Sequence, residues 1–354
     1  MNKQLQHPKR AIFFCLAWCL ASCHFGIRSR LAAQEIAGGQ LSEESPQRSG
    51  GSQLTAGDHT RTLRFGDRDR RYLLHIPKLY DPSKAAPVVL VFHGGGSNPE
   101  GMIRLAGMNS KSDEAGFLVV YPYGTGPLRD RLLSFNGGEC CAYAMEHQVD
   151  DVGFTRAILD DLSKITHVDS DRVFATGLSN GAIMSHYLAS ELSDRIAAIA
   201  AVGGPLMMEK PRNQRPVSVL QIHGTKDNFA PYQGGFGEGF LGRNGVTKFR
   251  SVDQTIRVWR EANGCSEKAE VTDLPDLAED GTKVRRHAWT GGRSGSEVVL
   301  VEVEGGGHTW PGRKPIFERL GISTMDVVAN DLIWEFFQRH PRVPLDRESR
   351  EVKP

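Results

Sequence analysis

The sequence contains 354 residues, of which 39% are hydrophobic and 24% are charged, so it can bury a full core in one large domain. Its 43 lysines and arginines nearly balance its 42 aspartates and glutamates, so the charge gives no reason to expect nucleic acid as a partner. The sequence has neither a Cys–His pattern with zinc spacing nor a phosphate-binding glycine loop with its lysine, so no metal site is expected.

Residues 1–23 predict an export signal. A positively charged start is followed by an apolar run over residues 11–21, which is shorter than the roughly 20 apolar residues of a membrane-spanning helix. The end of this run resembles a bacterial lipobox, which predicts lipidation of Cys23 and anchoring of the protein to a membrane. Cleavage near Ala33 with free secretion is the alternative. In both cases we expect an extracellular or periplasmic protein.

Residues 24–58 predict a flexible polar linker, because they are rich in Gly, Ser, Gln and Glu and show no apolar periodicity. Residues 59–341 predict a single domain, and residues 342–354 predict a polar tail. Within the domain, short β-branched apolar runs alternate with amphipathic stretches. This pattern is typical of an α/β fold with a mostly parallel central sheet and helices on both faces. The oligomeric state has no signature in the sequence.

The secondary structure of the domain is predicted from apolar periodicity and from its Gly and Pro boundaries. Arg61–Phe65 is predicted to form an antiparallel hairpin with the strand Arg71–Ile76. The predicted strands are Arg71–Ile76, Val88–Phe92, Leu118–Tyr121, Val173–Gly177, Ile196–Val202, Val217–Ile222 and Val298–Val303. The predicted helices are Pro99–Ala115, Asp151–Ile165, Gly181–Leu192, Val252–Asn263 and Met325–Arg339.

Three of the six cysteines lie in the export signal, which leaves Cys140, Cys141 and Cys265 in the predicted domain. An odd number in an oxidising compartment predicts one disulfide and one free thiol. We expect Cys265 to pair with Cys140 or Cys141. A vicinal bridge between Cys140 and Cys141 is one alternative, and three buried free thiols are another.

Residues 177–181 read Gly-Leu-Ser-Asn-Gly, which fits the G-x-S-x-G pattern of a nucleophile elbow. The pattern stands between a predicted strand and a predicted helix, where such a turn holds its serine in a strained conformation above the sheet. Glycines flank the turn because its tight packing leaves no room for side chains. This context predicts that Ser179 is the nucleophile of an acyl transfer.

A serine hydroxyl needs an imidazole to accept its proton and a carboxylate to orient that imidazole. Asp227 and His308 each follow a predicted strand, so both are expected at the carboxyl edge of the sheet. They also stand in the chain order that such an elbow requires, serine, acid, histidine. The rival acids are Asp273, Asp276 and Asp280. The rival histidines are His93, His167, His186, His223, His340 and His287, the last in an apparent strand before Val298–Val303.

Residues 93–96 read His-Gly-Gly-Gly and follow a predicted strand, as does the HGGG element of an oxyanion hole. Such an element donates a backbone N–H to the negative charge that develops on a substrate carbonyl. We expect Gly95 to supply one N–H, with Gly94 as the alternative, and Asn180 to supply the other. The structural alternative is a plain glycine-rich turn.

These residues resemble those of the secreted α/β-hydrolase esterases that include polyhydroxybutyrate depolymerases and the feruloyl and acetylxylan esterases of carbohydrate esterase family one. The resemblance extends from about residue 70 to residue 340. It implies an α/β-hydrolase fold, the triad named above, and ester hydrolysis through an acyl-serine intermediate without a cofactor. It rests on residues 93–95, 140–141, 149–154, 177–181, 223–224, Asp227 and 306–311.

The resemblance also implies roles around the triad. Trp310 is expected to face the substrate, with packing as the alternative. His93 follows a strand and precedes glycine, so it is expected to pack or hydrogen-bond beside the site, where it is also a candidate substrate contact. A bridge to Cys265 is expected to tie a loop beside the cleft to the end of the preceding helix.

The expected substrate is a soluble or polysaccharide-borne ester rather than crystalline polyester, because no separate polymer-binding domain follows the predicted catalytic domain. A serine peptidase of the same fold is an alternative, since acyl transfer to water is common to both reactions. A surface-tethered binding protein that lacks activity is another. The complete set of serine, acid and histidine argues against a binding protein.

Overall fold

A computed structural model describes residues 54–239 and 247–343 of the protein. The predicted export signal, Cys23 and the predicted linker up to residue 53 lie outside the described residues, as does the predicted tail from residue 344. The first strand begins at Gly57, two residues before the predicted start of the domain.

A ten-stranded sheet forms the centre of the described chain. Its strands are β1 (Gly57–Phe65), β2 (Arg68–Ile76), β3 (Ala86–Phe92), β4 (Leu118–Pro122), β5 (Val168–Leu178), β6 (Ala198–Val202), β7 (Ser218–Gly224), β10 (Glu270–Asp273), β11 (Lys283–Trp289) and β12 (Val298–Glu304). A separate two-stranded sheet consists of β8 (Gly235–Phe236) and β9 (Lys248–Phe249).

The strand order of the large sheet is β1-β2-β4-β3-β5-β6-β7-β12-β11-β10. The six central strands from β4 to β12 run parallel, and antiparallel pairs extend the sheet at both edges. Every residue of β3, β4, β6 and β7 is buried, as expected for parallel strands that are covered on both faces. The mostly parallel α/β fold predicted from the sequence is confirmed.

Helices cover both faces of the sheet. They are α1 (Pro99–Ala106), α2 (Met108–Ala115), α3 (Ala142–Glu146), α4 (Asp151–Ile165), α5 (Asn180–Glu191), α6 (Val252–Asn263) and α7 (Ala329–Arg339). One core contains apolar residues of α4, α5 and α6, and the other contains those of α1, α2 and α7. Neither described segment, 54–239 or 247–343, contains a helix long and apolar enough to cross a membrane.

The predicted helix over Pro99–Ala115 is two helices in the structure. Gly107 separates them with φ 64°, a left-handed conformation that a glycine adopts at little cost, and its N–H donates to the Ile103 carbonyl. The predicted Met325–Arg339 helix begins only at Ala329, and the Met325 N–H, which precedes the helix, donates to the Asp280 side chain. The antiparallel strand β10, over residues 270–273, was not predicted.

Candidate active site

Ser179 lies between β5 and α5 with φ 58° and ψ −120°, a backbone conformation that side-chain-bearing residues rarely adopt. A Cβ atom added to Gly177 would lie 2.6 Å from the Phe92 carbonyl oxygen, and one added to Gly181 would lie closer still. The elbow therefore packs directly against β3, and only glycine fits on either side of the serine. The turn leaves Ser179 partly exposed at the end of a buried strand.

Asp227 and His308 meet at the carboxyl edge of the sheet. Asp227 lies three residues after β7, and His308 lies four residues after β12, the parallel neighbour of β7. His308 Nδ1 and Asp227 Oδ2 are 2.7 Å apart, and both residues are buried. The carboxylate can thus hold the proton on Nδ1, which leaves Nε2 as the ring nitrogen able to accept a proton.

Both carboxylate oxygens of Asp227 have donors around them. Oδ1 accepts the backbone N–H groups of Phe229 and Ala230, each at 2.8 Å, and Oδ2 faces His308 at 2.7 Å and His223 Nε2 at 3.4 Å. Burial alone would raise the pKa of Asp227, but the hydrogen bonds and the electrostatic interaction with the His308 and His223 rings outweigh burial. The pKa of Asp227 is therefore held well below its ordinary value, and the group stays ionised.

The loop after β6 connects the surroundings of Ser179 and His308. A Cβ atom on Gly203 would lie 3.2 Å from His308 Nδ1, and one on Gly204 would overlap the Ser179 carbonyl oxygen. Strand β6 lies between β5 and β7 in the sheet, so this loop occupies the space between the elbow and the Asp227 loop. The structure thus gathers the three predicted triad residues at one edge, and their catalytic roles stay a prediction.

The predicted oxyanion residues lie against the elbow. Cβ atoms added to Gly94 and Gly95 would each lie 3.6 Å from the Cβ atoms of Ser179 and Asn180, respectively. Among the described residues, neither the Gly95 nor the Asn180 backbone N–H donates to a protein acceptor. Both groups are therefore available to a substrate oxygen at this place, as an oxyanion hole requires.

The Asn180 side chain ties the elbow to a second loop. Its Oδ1 accepts the Phe135 N–H at 2.7 Å, and its Nδ2 donates to the Phe135 carbonyl at 2.9 Å. The next residue of that loop, Asn136, donates its N–H to Asp151, whose carboxylate also pairs with buried Arg70 at 2.7 Å. The sequence gives no indication of these hydrogen bonds, because Asn180 and Phe135 are 45 residues apart in the chain.

His93 packs and hydrogen-bonds beside the site, as the sequence predicts, but it is buried and does not open toward a substrate. It is 1% exposed, its Nδ1 donates to the Gly94 carbonyl at 2.9 Å, and its Nε2 accepts the Gly124 N–H at 3.1 Å. Burial lowers the pKa of His93 to about 4, so the ring is neutral and can accept this bond. His93 thus holds the glycine loop in place from behind.

Trp310 takes the packing role that the sequence left as the alternative to facing the substrate. Trp310 is 2% exposed and belongs to the core beneath α7, where its indole N–H donates to Asn330 Oδ1 at 2.9 Å. The chain turns inward directly after His308, so the aromatic ring packs against the sheet instead of the cleft.

The expected disulfide to Cys265 is not formed, and the vicinal alternative is. Cys140 and Cys141 are joined to each other, while the Cys265 thiol is free among the described residues. Cys265 follows Gly264, which ends α6 with φ 72° and directs the thiol toward the Ser296 carbonyl at 3.6 Å. Cys140 instead packs with Ile183 and Met207, in a different cluster.

The rival acids and histidines have other partners. Asp273 pairs with Arg285 at 2.6 Å on the exposed edge of the sheet, and Asp280 accepts N–H groups from Thr282 and Met325. His186 and His223 are fully buried, and each is hydrogen-bonded to Gln221.

Comparison with known proteins gives matches to ester hydrolases. Residues 149–238 match the family model described as phospholipase/carboxylesterase. NocK of Nocardia uniformis subsp. tsuyamanensis, a protein assigned as an esterase, is 32% identical over 268 residues, which are 72% of this chain and 75% of NocK.

A fungal enzyme and a solved structure extend the comparison. Feruloyl esterase B of Piromyces equi is 30% identical over 248 residues, which cover 68% of this chain but only 42% of that enzyme. The chain therefore spans less than half the length of that relative. The crystal structure of native pOPH superposes with a TM-score of 0.50 and 14% identity, over 84% of this chain and 90% of that one. At this identity the likeness concerns the fold.

Proposed function

The chain belongs to the α/β-hydrolase family of carboxylic ester hydrolases that includes feruloyl and acetylxylan esterases, and from this premise we propose that it cleaves esters through an acyl-serine intermediate at Ser179. The observation that carries the proposal is the 2.7 Å hydrogen bond between His308 and Asp227, at the sheet edge where the Ser179 elbow also ends. An acid, a base and a nucleophile gathered at one edge are the groups that acyl transfer by a serine requires.

In the proposed reaction, His308 Nε2 accepts the Ser179 proton while Oγ attacks the ester carbonyl carbon. Asp227 keeps the Nδ1 proton in place and offsets the positive charge that His308 gains. The N–H groups of Gly95 and Asn180 bind the oxyanion. His308 then gives its proton to the departing alcohol, and water attacks the acyl-serine by the same sequence of steps.

The proposed substrates are feruloyl or acetyl esters carried by plant polysaccharide. Support comes from the relatives, since the enzyme from Piromyces equi is named a feruloyl esterase and one from Neocallimastix patriciarum is named a bifunctional acetylxylan esterase/xylanase. We also propose that the protein acts outside the cytoplasm, because residues 1–23 have the charge and length of an export signal. Fractionation of cells that express the full chain tests this location, and retention in the cytoplasm would contradict it.

The nucleophile is tested by replacing Ser179 with alanine. We expect S179A to lower kcat on an aryl ester by about four orders of magnitude or more without changing the fold. A fluorophosphonate probe should label Ser179 in the wild type and fail to label S179A, as read by peptide mass spectrometry. The matched control is S110A, at an exposed serine of α2. Activity that survives in S179A would refute the proposed mechanism.

The substrate class is tested by comparing kcat/KM on methyl ferulate, acetylated xylan and a hydroxybutyrate oligomer. The proposal requires the ferulate or the acetylated xylan to be hydrolysed faster than the hydroxybutyrate oligomer. Preference for the oligomer would replace plant esters with a polyester-derived substrate. Inactivity on all three, with intact probe labelling of Ser179, would overturn this substrate class.

A further inference from the structure

A line of four buried side chains lies behind the Asp227 carboxylate. Trp259, His186 and Gln221 are each 0% exposed, and His223 is 1% exposed. Trp259 Nε1 is 3.0 Å from His186 Nδ1, His186 Nε2 is 3.0 Å from Gln221 Oε1, and Gln221 Nε2 is 3.1 Å from His223 Nδ1. The proposed mechanism uses none of the four.

The chemistry of the first member fixes the direction of every bond. An indole N–H can only donate, so His186 Nδ1 must accept and its proton must lie on Nε2. That proton points at Gln221, which therefore presents its carbonyl oxygen to His186 and its amide N–H₂ to His223. Because the amide donates, His223 Nδ1 accepts, and the single proton of a neutral His223 ring lies on Nε2.

The last proton in the line faces the predicted catalytic acid. His223 Nε2 is 2.8 Å from the Ala230 carbonyl oxygen and 3.4 Å from Asp227 Oδ2. Oδ2 is the same oxygen that faces His308. A lone pair on His223 Nε2 would instead face two acceptors, so the tautomer decides whether this contact attracts or repels.

We propose that His223 is a positioning residue for Asp227, and that the buried line from Trp259 through His186 and Gln221 keeps its proton on Nε2. In this arrangement the His223 Nε2–H donates to the Ala230 carbonyl and also lies 3.4 Å from the Asp227 oxygen that faces His308. It restrains the carboxylate beside His308 and takes up part of its charge. The proposal rests on the triad mechanism proposed above.

The charged and titratable groups that face His223 come from three elements. From α5 it faces His186, whose pKa burial lowers to about 4, so that His186 remains an uncharged acceptor of the indole proton. From β12 it is paired in register with Glu302, whose carboxylate accepts the Tyr232 hydroxyl at 2.6 Å. Its own loop contributes Asp227 and the ring of Tyr232, packed edge-on at 5.9 Å.

The test compares the pH dependence of kcat/KM in variants of the line. In H223L and Q221L, the negative charge on Asp227 Oδ2 is no longer shared with His223, so it stabilises the protonated form of His308 more strongly. The midpoint of the acidic limb should therefore move up by about 0.5 to 1 pH unit, and kcat should fall about tenfold with little change in KM. H223Q keeps an N–H near the position of Nε2 and should restore the wild-type limb. W334F, a buried tryptophan outside the line, is the control for destabilisation.

A wild-type acidic limb in H223L and Q221L would overturn the proposal, and so would an H223Q profile identical to that of H223L. If the variants do not fold, the wild-type protein decides the question. Nitrogen-15 NMR of its histidines should report the Nε2–H tautomer at His186 and His223 from pH 6 to 8. A His223 that is protonated on Nδ1, or on both nitrogens, would refute the positioning role even if S179A is inactive. Failure of the proposed function is a different result, because it would appear as activity in S179A.

Discussion

At the scale of single residues, the site combines a serine in a strained backbone conformation with a carboxylate whose acceptor positions are occupied. Ser179 keeps a φ of 58° because β5 and α5 fix the turn on both sides. Asp227 has two backbone donors on one oxygen and two histidines facing the other. A carboxylate has about four lone-pair positions, so Asp227 can rotate away from His308 only by giving up bonds.

This arrangement predicts the effect of replacing the acid by its amide. In D227N, the amide N–H₂ would face His308 Nδ1 and favour the tautomer that puts the proton on Nε2, where it blocks attack by Ser179. We expect kcat to fall by about 10³ to 10⁴-fold, with KM within a few-fold of wild type. Steady-state kinetics of D227N beside D273N, a rival acid at the exposed edge, checks this. More than a tenth of wild-type kcat in D227N would remove Asp227 from the mechanism.

Some residue positions follow from the sequence and others do not. The places of Ser179, Asp227 and His308 were predictable because each follows a recognisable parallel strand, and such strands deliver their ends to one edge. The burial of Trp310 and the free thiol of Cys265 were not predictable. Both depend on the direction of the chain after a glycine-rich turn, which is decided by distant packing partners such as Asn330 and Ser296.

At the scale of elements, the elbow is a three-way contact between β3, β5 and α5. The Phe92 carbonyl at the end of β3 lies where a side chain at position 177 or 181 would have to go. The sequence pattern predicted this crowding, because two glycines frame the serine. It did not predict the division of residues 99–115 at Gly107, because an isolated glycine is tolerated inside a helix, as Gly101 is inside α1.

The contact at position 181 predicts a large cost for one methyl group. In G181A, the new Cβ would overlap the Phe92 carbonyl and push α5 away from β3, so we expect a loss of about 1–3 kcal/mol in the free energy of unfolding and a severe loss of kcat. Urea unfolding measures the first and ester kinetics the second. The comparison is G116A, where space is open but φ is 80°, so that only a conformational cost of about 1 kcal/mol applies and activity is kept. Equal effects of the two would contradict the packing argument.

At the scale of the whole molecule, the cores contain histidine side chains that accept their hydrogen bonds only when they are uncharged. Burial lowers the pKa of both His93 and His186 to about 4, while an unfolded histidine titrates near 6.5. Between these values the unfolded chain binds protons that the folded chain does not. The two neutral, buried histidines therefore contribute their full stabilisation of the folded state above pH 6.5, and this contribution is lost as the pH falls toward 4.

The expected result is a fall in the free energy of unfolding between pH 6.5 and pH 4, on the order of 3 kcal/mol for each of the two histidines. Urea unfolding at several pH values in this window measures it. H93Q should show a shallower fall than the wild type, and H147Q, at an exposed histidine, should not. An identical slope in H93Q would mean that His93 is not a neutral buried acceptor.

The pair of hydrogen bonds between Asn180 and Phe135 has a consequence for how the enzyme would choose among esters. Asn180, whose backbone N–H is proposed to bind the reacting oxygen, has its side chain hydrogen-bonded to the loop that includes Phe135 and the paired cysteines. An acyl group too bulky for this loop would pull on Asn180 and tilt its N–H away from the oxyanion. Poorly fitting esters should then bind nearly as well as good ones and react more slowly, so that selectivity is expressed in turnover.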